Sequence, residues 1–309
     1  MPNDTAAAQS RVEFPEPASA LIGESRFFGD LDFESPGAGE AESGIYTTFP
    51  PLNAAALLEA DEVHVWLMDL DLPALSEATM DALLSDDEAE RCVAFAFPHL
   101  RRRFRAAHAQ LREILSAYAA TPAVAMKFDK GAEGKPFLRN ESGPSPVFNL
   151  SHSGNLAMLA IANDGDLGVD IEQQRKTDDL DSLAASVFAP SEYAAYKCLP
   201  GDQRLGAFFK CWTRKEAVIK ADGRGLGMKL DSFVVPVEPG THPSVTFEAG
   251  AVPNGFHPRL IDLPAPPGFS AALAAPAGSQ KIRFLRLPSK KTGNAIGREN
   301  SPPVRVGQE

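Results

Sequence analysis

The chain has 309 residues, of which 44% are apolar and 23% charged, and its formal net charge is −11. This composition is typical of a globular protein of one large or two modest domains. No apolar run approaches the roughly 20 residues needed to cross a membrane, and no secretory signal is predicted. The negative charge disfavours nucleic acid as the main partner, because that affinity depends on neutralising phosphates.

The three cysteines, Cys92, Cys198 and Cys211, show no C-x-x-C spacing. This pattern argues against a disulfide framework and against a cysteine-based zinc site. It fits a reducing compartment, so we expect a cytoplasmic protein.

The first part of the chain is predicted to contain a disordered segment, followed by a strand and two helices. Residues 1 to 52 are rich in Pro, Gly, Glu and Ser, which predicts disorder, and structure is expected to begin with a strand at Val63–Leu67. Ser85 followed by three acids predicts a helix start. Apolar residues at helical spacing from Phe104 to Tyr118 predict a longer helix, which Thr121-Pro122 ends.

A run of strands is predicted next. Val147–Leu150 and Leu156–Ala162 read as strands, and residues 151–154 between them read as a turn. Residues 163–166 (Asn-Asp-Gly-Asp) indicate a hairpin turn that leads into a strand at Val169–Glu172.

The remaining pattern repeats the order of helix and then strands. Helices are predicted at Leu180–Val187, Ser191–Leu199 and Phe208–Ala221, and the strands that follow them at Ser232–Val237, Ser244–Phe247, Phe269–Ala275 and Lys281–Leu287. We therefore predict an α+β protein of two similar lobes, each a helix plus an antiparallel sheet, in a pseudo-twofold arrangement. The expected ranges are 53–166 for the N-terminal lobe, 167–287 for the C-terminal lobe and 288–309 for a disordered tail.

Two segments carry the chemistry. In the predicted strand, Asp170 and Glu172 alternate with Val169 and Ile171, so both carboxylates point to one face. In the predicted helix, Glu216 and Lys220 are four residues apart and share a face. Three such carboxylates suit Mg²⁺, which prefers oxygen ligands and substrate phosphates. The simpler interpretation is a solvent-exposed strand and an ordinary surface ion pair.

Basic and turn residues indicate where phosphates would lie. Arg175, Lys215 and Lys220 are near the acids in sequence, and His152 stands in a Ser-His-Ser-Gly segment whose N–H groups suit an anion. Lys135 stands in a Gly-Lys-Pro turn, and four arginines cluster at residues 101–105. Each of these features is also compatible with an exposed surface.

Taken together, the motifs are more specific. Asn149–Ser153, Gly168–Glu172 and Phe209–Lys220 resemble, in order and spacing, the Sfp-type 4′-phosphopantetheinyl transferases. Gly134–Pro136, Phe188–Tyr193 and Gly223–Leu226 resemble that family too, and the similarity covers residues 62 to 287. The resemblance implies the two-lobed fold of that family.

The resemblance also implies a reaction. A serine of an apo acyl, peptidyl or aryl carrier protein attacks coenzyme A, the phosphopantetheine arm is transferred with the help of Mg²⁺, and 3′,5′-ADP leaves. The implied partners are coenzyme A and the carrier protein, with no nucleic acid and no membrane. Because both halves of the site lie in one chain, a monomer is expected.

The family's functional residues carry over to particular positions. Catalysis is assigned to Glu216, as base, and to Lys220, on the pyrophosphate. The implied metal ligands are Asp170, Glu172 and Glu216. The implied coenzyme A contacts are Arg91, Arg103, Lys135, Ser151, His152, Asp170, Arg175, Lys215 and Lys220.

One position departs from the family pattern. Relatives carry two lysines on the helix that begins near residue 85, where this chain has Glu88 and Arg91. Only the second position keeps a positive charge, so weaker coenzyme A binding is one expected consequence. The alternatives to a transferase are a catalytically weak coenzyme A binding protein on the same fold and a Mg²⁺-dependent phosphoesterase.

Overall fold

The computed structural model describes residues 58–119, 121–131, 133–139, 145–177, 179–224, 228–247 and 256–287, and the backbone of 45–48. The helices are α1 Glu77–Leu83, α2 Asp86–Ala94, α3 Pro98–Ala119, α4 Leu180–Val187, α5 Pro190–Cys198 and α6 Gly201–Asp222. The strands are β1 Ile45–Thr48, β2 Glu62–Asp69, β3 Lys127–Lys130, β4 Pro136–Arg139, β5 Val147–Ser153, β6 Leu156–Ala162, β7 Gly168–Gln173, β8 Phe233–Val234, β9 Thr246–Phe247, β10 Arg259–Asp262, β11 Phe269–Ala275 and β12 Lys281–Arg286.

Two sheets and two long helices form the framework, which confirms the predicted α+β class. A five-stranded sheet has the order β1-β12-β2-β6-β5, and a three-stranded antiparallel sheet has the order β10-β11-β7. Helices α3 and α6 have 22 residues each. Hairpins β3-β4 and β8-β9 are separate two-stranded units.

Apolar side chains form three cores that follow these layers. The first core joins α3 to one face of the five-stranded sheet through residues such as Trp66 and Leu115. The second surrounds α6 in the other lobe, and the third lies between the two sheets, where Val169 and Ile171 of β7 are fully buried. Because β7 contributes its odd-numbered side chains to the third core, its even-numbered ones face the opposite side.

The last strand differs from the expected lobe boundary. Strand β12 pairs in parallel with β2, and Ile282 and Phe284 are buried with β2 residues in the core between the sheets. Residues 281–286 therefore belong to the first lobe's sheet, although residues 167–287 were expected to form the second lobe. The sheet is mixed for this reason, not purely antiparallel as predicted.

Two other local expectations are corrected. Strand β5 continues through Ser153, so His152 lies on a strand and the turn falls at Gly154, which has φ 57°. Residues 163–166 do not close a hairpin, because β7 pairs with β11 instead of with β6. The apolar sequence of β6 is buried on both faces, between the α3 core and the core shared with the second sheet.

The ends of the chain are only partly described. Strand β1 falls within residues 1 to 52, and it pairs in parallel with β12. The other residues of that range, and the predicted tail at 288–309, lie outside the described residues. Their expected disorder stays a prediction.

Candidate active site

The site begins with the two carboxylates of β7. Asp170 is 1% exposed and Glu172 is partly buried, and both belong to the face of β7 opposite Val169 and Ile171. The period-two pattern of the sequence therefore places both acids on one face.

Helix α6 brings a third carboxylate and a lysine to the same place. Glu216 and Lys220 are one turn apart, and they interact electrostatically with Asp170 and with each other. The helix can approach β7 this closely because residue 168 is glycine. A Cβ at Gly168 would lie 2.1 Å from the carbonyl oxygen of Ala217.

Lys220 is bound directly to the acid cluster. Its Nζ donates to Oδ1 of Asp170 at 2.6 Å and to Oγ of Ser151 at 3.0 Å. Desolvation lowers the pKa of Lys220, but Asp170, Glu216 and Glu172 outweigh it, so the pKa is raised overall. Lys220 therefore stays charged beside the carboxylates.

The acids carry more negative charge than one lysine neutralises. Burial, followed by repulsion from Asp170, raises the pKa of both Glu172 and Glu216 to about 7. Oδ2 of Asp170 is buried and has no hydrogen-bond partner among the described residues. Hard oxygen donors and an unpartnered buried oxygen fit Mg²⁺, although the described residues hold no ready-made group of three or more ligands.

A row of polar side chains on β5 supports the carboxylates. Strands β5 and β7 belong to different sheets, and three β5 side chains bridge them by accepting backbone N–H bonds of β7. The pairs are Asn149 with Val169 at 2.8 Å, Ser151 with Ile171 at 3.4 Å, and Ser153 with Gln173 at 3.1 Å. We call these six residues the β5–β7 seam.

Two seam hydroxyls also reach the acids. Ser151 Oγ donates to Oδ1 of Asp170 at 2.8 Å, and Ser153 Oγ donates to Oε2 of Glu172 at 2.7 Å. The side chain of Trp212 on α6 also interacts with Glu172 and favours its ionised form, which lowers its pKa. Both carboxylates are thus held by groups from neighbouring elements.

His152 lies on β5 between the two seam serines and keeps an exposed edge. Its pKa is lowered, first by desolvation and then by the positive charges of Lys220 and His108. His108, on α3, is hydrogen-bonded through Nδ1 to Glu88 at 2.9 Å. His152 therefore stands beside Lys220, and His108 stands beside His152.

Lys135 contacts the backbone at the same corner of the molecule. Its Nζ donates to the carbonyl oxygens of Leu167 at 3.0 Å and Ala221 at 3.3 Å. These carbonyls precede β7 and end α6, so Lys135 joins the β3-β4 hairpin to both elements of the site. Burial lowers the pKa of this lysine.

The structure corrects the expected role of Lys215. Its side chain is fully buried, and Nζ bonds Oε2 of Glu192 at 2.8 Å and the carbonyl oxygens of Leu230 and Phe233. Lys215 precedes Glu216 in sequence, but the helix turns it about 100° away, into the second core. A contact with coenzyme A is incompatible with this position.

The structure also explains the acid at position 88. Glu88 closes a capping box with Ser85 at the start of α2 and pairs with Arg112 at 2.8 Å, while buried between α2 and α3. It stabilises the first lobe and occupies no exposed position. Arg91 on the same helix is exposed and lies over the ring of Phe104 at 5.2 Å.

The other predicted coenzyme A residues lie at the edge of the site or apart from it. Arg103 makes two hydrogen bonds to Asp71, at 2.8 and 2.6 Å. Arg175 lies two residues beyond the end of β7 and is partly buried. The structure thus brings together Ser151, His152, Asp170, Glu172, Glu216 and Lys220.

Sequence reasoning missed several residues that shape the site. The sequence predicted no individual role in the site for Ser153, Trp212, His108 or Gly168. The signal for Ser153 was present: Asn149, Ser151 and Ser153 are polar at period two on a strand with an apolar neighbour strand. Such a pattern indicates that one face of the strand bonds to polar groups.

Two models of known protein families match this chain. A family model described as "4'-phosphopantetheinyl transferase superfamily" matches residues 166–263, and one described as "4'-phosphopantetheinyl transferase, N-terminal" matches residues 74–164. Among the described residues, no helix is long and apolar enough to span a membrane.

Three curated relatives align with this chain over most of their own length. The 4'-phosphopantetheinyl transferase HetI of Nostoc sp. is 40% identical over 195 residues, 62% of this chain and 82% of the relative. A 4'-phosphopantetheinyl transferase of Bacillus subtilis is 32% identical over 63% of this chain and 82% of the relative. Sfp of Bacillus subtilis (strain 168) is 29% identical over 63% and 89%. The chain belongs to the 4'-phosphopantetheinyl transferase family.

Proposed function

We propose that this enzyme transfers the 4'-phosphopantetheine arm of coenzyme A to a serine of an apo carrier protein. The observation that carries the proposal is the meeting of Asp170, Glu172, Glu216 and Lys220 where α6 lies on β7. Family membership supports the same reaction. The serine oxygen forms a bond to the β-phosphorus of coenzyme A, the bond to the bridging oxygen breaks, and 3',5'-ADP leaves.

We further infer that the reaction depends on Mg²⁺ held by Asp170, Glu172 and Glu216. The unpartnered Oδ2 of Asp170 and the raised pKa of both glutamates support this assignment. Bound there, Mg²⁺ would offset the negative charge of the phosphate oxygens. Lys220 contributes a second positive charge at the same place, on the pyrophosphate.

Glu216 is the proposed base for the carrier serine. Burial, followed by repulsion from Asp170, raises the pKa of its carboxyl to about 7. The proton that the serine loses would pass to Glu216, whose carboxyl lies with Asp170 and Lys220 at the proposed metal site.

The remaining coenzyme A contacts are proposed from the family pattern and from proximity. Ser151 and His152 adjoin Lys220, and Lys135 stands at the end of α6. Arg91, Arg103 and Arg175 are proposed at the periphery, for the 3'-phosphoadenosine end. Lys215 is left out because it is buried against Glu192.

We place the enzyme in the cytoplasm and infer a monomer, with no membrane or nucleic acid partner. The three cysteines are free, and Cys198 is exposed, which fits a reducing compartment. The acid cluster and its lysine come from a single chain.

A mass assay on carrier proteins tests the function. The full chain, coenzyme A and Mg²⁺ are incubated with a panel of apo acyl, peptidyl and aryl carrier proteins, with and without EDTA. We expect a carrier to gain one phosphopantetheine arm and 3',5'-ADP to appear, with both lost on chelation. Bound coenzyme A without transfer to any carrier would favour the binding-protein alternative. Release of 3',5'-ADP without a carrier would favour a phosphoesterase.

A further inference from the structure

In the β5–β7 seam, hydrogen bonds between side chains and the backbone replace the backbone pairing found elsewhere in a sheet. Strand β5 ends one sheet and β7 ends the other, so the outward N–H groups of β7 need acceptors. Side chains at alternate positions of β5 supply them. This leaves the hydroxyl protons of the two seam serines available for another acceptor.

The direction of each hydrogen bond at Ser153 is fixed by its partners. The N–H of Gln173 can only donate, so Oγ of Ser153 accepts it at 3.1 Å. The serine proton then points to Oε2 of Glu172, 2.7 Å away. Ser153 is 1% exposed, so water does not compete for either bond.

Ser151 repeats the arrangement two residues earlier. Its Oγ accepts the N–H of Ile171 and a proton of Lys220, and donates to Asp170. Each acid on β7 is therefore oriented by a serine of β5. The same serine accepts the backbone N–H of the next residue of β7. The backbone register of the seam and the direction of the carboxylates are set by the same atoms.

From this we propose that Ser153 is a positioning residue, which orients Glu172 for the divalent cation and does not itself touch substrate or metal. The inference rests on the metal site of the proposed function. A hydrogen bond from a neighbour that holds a ligating carboxylate commonly changes metal affinity about 10- to 100-fold when it is removed.

Asn149 provides a matched control within the seam. Its Oδ1 accepts the N–H of Val169 at 2.8 Å, and the side chain is buried like that of Ser153. Among the described residues, the Asn149 side chain makes no hydrogen bond to a carboxylate. Asn149→Ala therefore weakens the seam without removing a bond to an acid.

The experiment measures Mg²⁺ affinity of the full-length protein with coenzyme A present, by calorimetry and by tryptophan emission. Trp212 on α6 interacts with Glu172 and can report on this carboxylate, whereas Trp66 is fully buried and donates a hydrogen bond to Tyr118 in the first lobe. We expect Ser153→Ala to weaken Mg²⁺ binding about ten-fold or more. We expect Ser153→Ala and Asn149→Ala to lower the Tm by similar amounts. Only Asn149→Ala is expected to leave Mg²⁺ affinity unchanged.

Three outcomes would overturn the inference or its basis. Unchanged Mg²⁺ affinity in Ser153→Ala, or equal losses in both variants, would show that Ser153 acts only through folding. Failure of the wild-type protein to bind Mg²⁺ would instead remove the proposed metal site. If Ser153→Ala does not fold, Ser153→Cys keeps the side-chain size with a weaker donor. The same loss is expected there, and wild-type affinity would refute the role.

Discussion

Lys220 donates a 2.6 Å hydrogen bond to Asp170 across the contact between α6 and β7. The lysine belongs to the helix of the second lobe, and the acid belongs to the edge strand of its sheet. This pair neutralises one of three neighbouring carboxylates and places an ammonium group where a pyrophosphate is expected.

Replacing Lys220 with methionine is expected to lower the transfer rate on the order of a hundred-fold. Methionine keeps the bulk of the side chain but offers no charge to the phosphates. Steady-state rates with coenzyme A and a responsive carrier would measure the effect. Lys197→Met is the control, because that lysine forms an exposed pair with Asp181 on α4. Equal rates in both variants would contradict a phosphate role for Lys220.

Asp170→Asn should remove Mg²⁺-dependent transfer, with a loss of at least about a hundred-fold. Asparagine keeps an oxygen for Lys220 and Ser151, so the protein is expected to fold. The mass assay at several Mg²⁺ concentrations, with circular dichroism as a check on folding, measures the change. Retained activity at ordinary Mg²⁺ concentrations would be inconsistent with Asp170 as a metal ligand.

Lys215→Met is expected to act on stability and not on coenzyme A binding. It leaves the buried carboxylate of Glu192 without its cation, which typically costs about 3–5 kcal/mol of unfolding free energy. Urea unfolding would measure this loss, and KM for coenzyme A should be unchanged in the folded protein. The double change Lys215→Met with Glu192→Leu should recover part of the stability. A raised KM at full stability would restore the role first expected from sequence.

Gly168→Ala should push α6 away from β7. The added Cβ would lie 2.1 Å from a backbone oxygen and 2.4 Å from a backbone nitrogen of α6, and neither atom can rotate aside. We expect lower Tm and lower transfer rate together. Gly206→Ala on the same helix meets no atom within 4 Å, so it should be neutral or slightly stabilising. Normal activity in Gly168→Ala would show that the contact is adjustable.

Stability should depend on pH through Glu88. Desolvation opposes ionisation, but hydrogen bonds from His108, Ser85 and Arg112 outweigh it and lower the pKa of Glu88 to about 2. An ordinary glutamate titrates near pH 4.3, so the stabilisation, roughly 2–3 kcal/mol, is complete above that pH and is lost as pH falls towards 2. Urea unfolding of wild type and Glu88→Gln at pH 7 to 2.5 should give curves that converge in acid. The control is Glu90→Gln, at an exposed position of the same helix.

The sequence was most informative where period and spacing dictate geometry. The alternation around Asp170 and the four-residue interval from Glu216 to Lys220 predicted the faces that meet. Capping at Ser85 was predicted for the same reason, because the pattern is local. In each case neighbouring residues alone decide the outcome.

Contacts between residues far apart in the sequence could not be predicted in this way. The turn signal at residues 163–166 favours a hairpin, but β7 finds a better partner in β11, more than 90 residues later. Lys215 resembles a site residue until the rotation of α6 and the position of Glu192 are known. The role of Glu88 likewise depends on Arg112 and His108, which come from another helix.

Strand β12 lies between β1 and β2, and this has a consequence for the order of synthesis. Residues 62–162 leave the ribosome early, yet their sheet lacks an inner strand until residues 281–286 have been made. The first lobe therefore closes last, after the second lobe has had time to form. A chain that stops before residue 281 loses a strand from the first lobe, although the cut is made beyond most of the second.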